Sequence, residues 1–470
     1  MLRRWSALAQ FKPSGRTGDV GNVPRMARLS ERLRDHVAVP LHWSAYALTL
    51  SVAGASLLGM VFWVIASHTY SAEAVGVSSG AVAALMFLTG VGTLYLDGAL
   101  YRFLPLAGNR AGRLFWVSSF AALVAGLVVG VVFIAGLEVW SPDLSFARSS
   151  PGAMMACVGA LGLACLLQLQ DGALVGLRRA GWVPVKNVSY GVMKIVALVV
   201  LASVFPTYGI LAAWVLPGIL LLPPFAYLIT RLLPTHWGTT APPGEPMDVR
   251  RITRYASGNY VGYLCTLAYR FLPPVLVLHQ AGAVAAAYFY PPWLIASSLM
   301  LVTSNFSVSL VVEGAFDRSE FTLHTRRAVA QTSRLLLPVV ALLVVAAPWV
   351  LRVFGSQYAD EGATLLRLLA LSLVPSAVCI LSFGIARIHD RVAAIVVNQV
   401  ALAFLVLSLS VLLVGPLGIT GVGVASLIAQ SAVAVVLLWT QLLPALRGQD
   451  PEPESHLQEG EGVDVPNSPA

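Results

Sequence analysis

Asn259, Tyr263, Thr266 and Arg270 follow one another at intervals of four, three and four residues, which sets an amide, a phenol, a hydroxyl and a guanidinium on one helical face. The surrounding segment is apolar, and Arg270 stands about fourteen residues into it, beyond the reach of snorkelling. A charge at the centre of a bilayer costs at least ~2.5 kcal/mol on insertion scales, so that face must look onto protein, water or cargo. Pro273 and Pro274 follow directly, removing backbone donors where irregular backbone is tolerated only beside protein or water. A second pair, Pro291-Pro292, comes after Tyr288 and Tyr290 and before a face carrying Ser298, Asn305 and Ser309. Paired helix breaks of this kind suit gating elements.

Asn187, Tyr190 and Lys194 repeat the arrangement at i, i+3 and i+7, with the lysine near the middle of its apolar segment. Cations deep in apolar helices, without acids at the same depth, suit an anionic cargo. A diphosphate carries closely spaced negative charges that a guanidinium fork is shaped to hold. The candidate binding residues are therefore Arg270, Lys194, Asn259, Tyr263 and Thr266. The alternative is that helix-end carbonyls or buried partners neutralise both cations, which then only lock packing. Arg102 lies with Asp97, Asp171 and Arg178 near the ends of two apolar segments. It is a further candidate for meeting an arriving headgroup, against the plainer reading of interface anchoring or an Asp97 pair. Glu73, Asp360 and Glu361 fall near the opposite interface and read as solvated caps, and Arg367 is close enough to that interface to snorkel.

Other chemistries find no support in the residues. Cys157, Cys165, Cys265 and Cys379 all lie in apolar segments with no CxxC pair, so they read as small buried residues, neither disulfides nor ligands. No His/Asp/Glu group has metal-ligand spacing, and no cofactor is implied. A membrane glycosyltransferase or polymerase would need a large outer loop with paired acids or a metal site. The longest such loop, around 141–151, offers only Asp143 and Arg148.

The elements that must carry these residues are membrane-spanning helices. Of 470 residues 57% are hydrophobic and 11% charged, against roughly 25% charged in a soluble domain. Runs such as 45–65 and 114–137 match the roughly 20 apolar residues that cross a bilayer. Twelve spans are predicted, centred near residues 56, 85, 126, 164, 194, 220, 267, 298, 340, 374, 403 and 430. The net charge of +8 does not indicate nucleic acid, because 25 of the 30 Lys and Arg fall in the two arms or the loops after even-numbered spans. Only Arg148 and Arg352 fall in loops after odd ones. Repeated at every loop, that asymmetry predicts a multi-pass inner-membrane protein with both termini cytoplasmic.

Five regions follow. Residues 1–44 form a cytoplasmic arm, polar up to residue 23, in which Met26, Leu29, Leu33 and Val37 share the apolar face of an interfacial amphipathic helix. Because the first apolar run starts only after about 44 residues, it reads as a retained span and not as a signal peptide. Residues 45–233 and 254–446 each hold six spans, joined by a Pro- and Gly-rich cytoplasmic linker at 234–253. Residues 447–470, with six acids and four prolines after Arg447, form an acidic disordered tail. The halves also echo each other. The segment 176–187 leads to Pro206-Thr-Tyr-Gly, and about 210 residues later 386–398 leads to Pro416-Leu-Gly. Duplicated bundles around a central site are a recurrent transporter plan.

The stretch Tyr70-Ser-Ala-Glu-Ala-Val-Gly76, running on to Ala99-Leu-Tyr-Arg-Phe-Leu-Pro105, resembles the second helix of polysaccharide flippases in the multidrug, oligosaccharidyl-lipid and polysaccharide exporter superfamily. So does Val353-Phe-Gly-Ser-Gln-Tyr-Ala-Asp-Glu-Gly-Ala, entering span ten. With the six-plus-six layout the resemblance covers roughly residues 40–445. It implies an all-α polytopic protein of about twelve transmembrane helices, in two six-helix lobes around a central cavity lined by spans one, two, seven and eight. The implied function is the flipping of a polyprenyl-diphosphate-linked oligosaccharide to the outer leaflet by alternating access, without enzymatic chemistry. Its partners would be lipid-linked oligosaccharide, membrane lipids, and the glycosyltransferases or polymerase of the same pathway. A cation-coupled multidrug exporter of the same superfamily is the rival reading. It would favour a buried carboxylate, and no acid is expected at mid-depth in any span.

Overall fold

The computed structural model describes residues 40–140, 142–205, 208–237, 249–316, 321–389 and 391–448. The amphipathic segment of the N-terminal arm, the Pro-rich stretch of the linker at 238–248 and the acidic tail lie outside the described residues.

The described chain is all-helical. Its long helices are α1 (Pro40–Thr69), α2 (Ala72–Gly92), α4 (Ala111–Ala135), α5 (Pro151–Gly176), α6 (Trp182–Ala202), α7 (Gly209–Trp237), α8 (Val249–Ala281), α9 (Ala283–Phe316), α10 (Phe321–Arg352), α11 (Ser356–Ile388), α12 (Val392–Leu417) and α13 (Thr420–Leu437). A short helix, α3 (Leu96–Phe103), follows α2. Eleven of the long helices are long and apolar enough to cross a membrane, and the described part of α1 adds the shorter apolar run Gly54–Thr69. Apolar length places the helices, and local chemistry ends them. Ser71 caps α2 by accepting from the Ala74 amide at 3.2 Å, and Ser150 caps α5 by accepting from Ala153 at 3.1 Å, with Pro151 filling the first helical position. Helices α8 and α9 run on through Pro273-Pro274 and Pro291-Pro292.

Helix α5 closes with a double backbone bond. The Arg179 N–H donates to Leu174 C=O and the Arg178 N–H to Val175 C=O, both at 2.9 Å, with Arg178 left-handed at φ 55°. In the second half the Arg391 N–H donates to Ala386 C=O at 2.9 Å after α11, the same six-to-one bond.

Helices α2 and α11 are the most enclosed, with 61% of their apolar windows buried. Helix α11 packs on α9, α10 and α13 at the heart of the second half. Helix α2 has a different reason. It packs on α4 and α5 of its own half and also lies along α8 and α9 of the other. Glycine makes the approach possible: a side chain at Gly76 would run into the Ala283 backbone, and one at Gly90 into Leu267. Along α2 the two halves are shut against each other.

Candidate functional site

Helix α3 is held on α5 by Gly172 and Gly176, whose missing side chains leave room for the backbones of Asp97 and Leu100. The break before it is tight, with Leu94 and Tyr95 both left-handed at φ 52° and 58°. That turn brings Tyr95 and Asp97 to the seam between the halves. There the Gln168 amide of α5 donates to Asp97 Oδ2 at 3.1 Å and to the Tyr263 hydroxyl of α8 at 2.8 Å. The Tyr260 hydroxyl donates to Val91 C=O at 2.7 Å, and the Tyr95 ring sits 5.2 Å from that of Tyr263. Burial pushes the Asp97 carboxyl above the usual carboxylate range, against the opposing pull of the Gln168 donor. Its other oxygen is buried without a hydrogen-bond partner. Arg102 does not reach Asp97; its guanidinium lies 4.7 Å from the Tyr255 ring.

The opposite end of the seam is aromatic and dry. Phe62 and Trp63 of α1 are 0% and 1% exposed, and the Trp63 ring lies 4.5 Å from that of Tyr290 of α9, tilted at 53°, in a cluster that continues to Leu351, Phe354 and Tyr358.

The predicted binding residues divide between compartments. Thr266 and Arg270 line a cavity of about 120 Å³ wholly within the second half, with Tyr269, Trp293, Ser297, Ser372, Ser426 and Gln430 around them. Ser426 Oγ and Gln430 Oε1 are buried there without hydrogen-bond partners. Among the described residues Arg270 has no ion-pair partner, and the Trp293 indole donates to its backbone carbonyl at 3.1 Å. Tyr263 stands instead at the seam. The Asn259 side chain donates to its own helix, to Tyr255 C=O at 2.9 Å, so one sequence face serves three surroundings.

Lys194 lies in the first half, 5% exposed, with its ammonium 3.9 Å from the Trp214 ring centroid, 4.9 Å from Phe62 and 5.5 Å from Tyr190. Beside it Asn187, Tyr190 and Trp214 line a cavity of about 300 Å³ with Thr89, Gln168, Asp171 and Lys186. Lys186 donates to Leu167 C=O at 2.6 Å and pairs with Asp171 at 2.7 Å. Asp171, five residues before the end of α5 and so near a span end as the sequence places it, also lines this cavity. The pairing of Asp171 with Lys186 and the amide bridge from Gln168 escaped sequence reasoning. The spacing of Gln168 and Asp171, three apart on one face of α5, was the available signal. Toward the other end of the half an apolar hollow of about 610 Å³ opens among Ala84, Leu88, Ile134, Ala156, Ala160 and Leu216. No cluster of metal-binding side chains occurs among the described residues.

No family model matches the sequence, and no curated protein matches it. Solved structures do share the fold. A lipid II flippase, MurJ, in an inward closed conformation superposes with a TM-score of 0.61 at 14% identity, covering 85% of this chain and 90% of its own. A multidrug resistance MATE family transporter of the MOP superfamily, inward-facing, gives 0.59 at 17%, covering 80% and 94%. A MOP superfamily transporter from Pyrococcus furiosus, described as having a binding pocket of reverse polarity, gives 0.52 at 17%, covering 86% and 96%. The fold of this chain is that of MOP-superfamily transporters.

Proposed function

We propose that this chain, folded as MOP-superfamily transporters are, flips a polyprenyl-diphosphate-linked oligosaccharide from the cytoplasmic to the outer leaflet of the inner membrane by alternating access, and has no enzymatic activity of its own. The observation that carries this reading is Arg270, a guanidinium in the middle of an apolar helix with no ion-pair partner among the described residues, lining a cavity in which serine and threonine hydroxyls and the Gln430 amide stand among apolar side chains. A charge in that position is costly without a counter-charge, and a diphosphate supplies one with the bidentate geometry a guanidinium favours. The cavity of about 120 Å³ lies below the 300–1,000 Å³ of ordinary small-molecule sites, so it suits a charged group and not a saccharide. The saccharide would occupy the seam once the halves part, with Tyr263, Asn259 and Arg102 along its entry and the polyprenyl tail left in lipid. Both termini lie in the cytoplasm on this reading. The halves rock about the 234–253 linker, and glycosyltransferases and a polymerase of the same pathway supply and consume the cargo.

The drug-exporter alternative draws on Asp171, an acid in a mostly apolar cavity that has Tyr190 and Trp214 among its walls. Its charge is already answered by Lys186, which leaves it poorly placed to attract a cation.

Flipping of a fluorescent polyprenyl-diphosphate oligosaccharide by the purified full chain in liposomes tests the proposal. Arg270→Ala is expected to slow flux at least tenfold while the protein remains monodisperse, and Arg270→Lys to retain part of it. Undiminished flux through Arg270→Ala removes the assignment.

A further inference from the structure

The Lys194 ammonium is enclosed by the faces of Trp214, Phe62 and Tyr190 at 3.9, 4.9 and 5.5 Å, and no acidic side chain or hydrogen-bond acceptor among the described residues engages it. Buried cations are ordinarily met by carboxylates or carbonyls, as Lys186 is by Asp171 and Leu167 one helical segment away. A box of aromatic faces is the arrangement that binds quaternary and other weakly hydrated organic cations. The Trp214 indole N–H is buried without a partner, so its ring is oriented by what touches its face and not by a hydrogen bond of its own. Tyr190 is fixed differently, its hydroxyl donating to Trp214 C=O at 2.6 Å. Tyr190 and Trp214 are also walls of the 300 Å³ cavity that holds Asp171 and Gln168. The box thus shares two of its three walls with that cavity and is filled by a tethered cation.

We propose that Lys194 is a specificity-determining residue: it occupies, as a built-in ligand, an aromatic box that would otherwise admit lipophilic cations to the cavity of the first half. With the ammonium in place an incoming monocation meets both an occupied box and a like charge in a low-dielectric site. With the side chain cut back, Phe62, Tyr190 and Trp214 present free faces beside that chamber. This goes beyond the flipping proposal and does not depend on it, because it concerns what the first half excludes, whereas Arg270 in the other half concerns what is carried.

Binding of tetraphenylphosphonium to the purified full chain by equilibrium dialysis tests it. Lys194→Ala, which empties the box, is expected to bind this cation at least about tenfold more tightly than the wild type or Lys194→Arg, from the gain of freed cation–π contacts. Adding Trp214→Leu to Lys194→Ala is expected to abolish the gain. Equal binding by wild type and Lys194→Ala overturns the proposal, as does a gain that survives Trp214→Leu. The wild type alone gives a second reading that needs no lysine variant. It is expected to show no binding that Trp214→Leu removes, and any such binding would mean the box is already open.

Discussion

The Asp171–Lys186 pair joins two helices of the first half at 2.7 Å, with side-chain exposures of 27% and 5%. Breaking such a pair costs more than never having had it, because the surviving charge is left stranded; losses of about 3 kcal/mol are usual. Asp171→Asn is expected to lower the melting temperature in detergent by several degrees, and Asp171→Asn with Lys186→Met to restore much of the loss. A double variant no more stable than the single one would show that the two side chains do not depend on each other. At this scale the sequence was readable in part. The depth of Arg270 and Lys194 follows from their distance to the ends of apolar runs, and both sit inside apolar helices as expected. Their surroundings were not readable. Tyr190 stands one turn before Lys194 on α6, but the Phe62 and Trp214 rings come from α1 and α7, and only tertiary packing brings them to the ammonium. Asp171 and Lys186 are fifteen positions apart across a turn, a separation at which no helical periodicity points to contact.

The helices themselves were legible because crossing a bilayer demands length and apolarity, which are properties of a single segment. Their joints were not. Leu94, Tyr95 and Arg178 adopt left-handed backbone without being glycine, and such positions carry no compositional mark. Arg178 offers a clean measure of that strain, since it is exposed and follows α5 where glycine is the usual residue. Left-handed backbone costs an ordinary residue roughly 1–2 kcal/mol, of which glycine's extra unfolded-state freedom takes back roughly 0.5–1. Arg178→Gly is expected to raise stability by about 0.5 kcal/mol, read from the melting temperature. A clear fall would mean that the arginine side chain contributes more than its backbone conformation costs. The proline pairs carry the opposite lesson. Pro273-Pro274 and Pro291-Pro292 read as breaks, yet α8 and α9 run on through both.

Across the whole molecule, the all-helical, twelve-span architecture was legible from hydropathy and loop charge, and the match to MOP-superfamily structures bears it out. What hydropathy could not convey is that the halves meet along α2. Gly76 and Gly90 look like any small residues in an apolar run until the helix across the seam is known. Gly76→Leu is expected to hold α2 off α9 and loosen the adjoining Trp63–Tyr290 contact. In a background freed of native cysteines, maleimide labelling of Tyr290→Cys should then proceed at least tenfold faster with Gly76→Leu than without it. Equal rates would show that the glycine does not control the seam.

The two ends of that seam are closed by unlike means. Near Asp97 the contacts are hydrogen bonds from Gln168 and Tyr260, which water can replace at a net cost of about 1 kcal/mol each. Near Trp63 they are dry rings, and exposing one large apolar side chain costs roughly 1.5–3 kcal/mol with nothing in the solvent to take its place. The seam is therefore unequal along its length: the hydrogen-bonded end is the cheaper to part, and the aromatic end holds the greater share of what keeps the halves together.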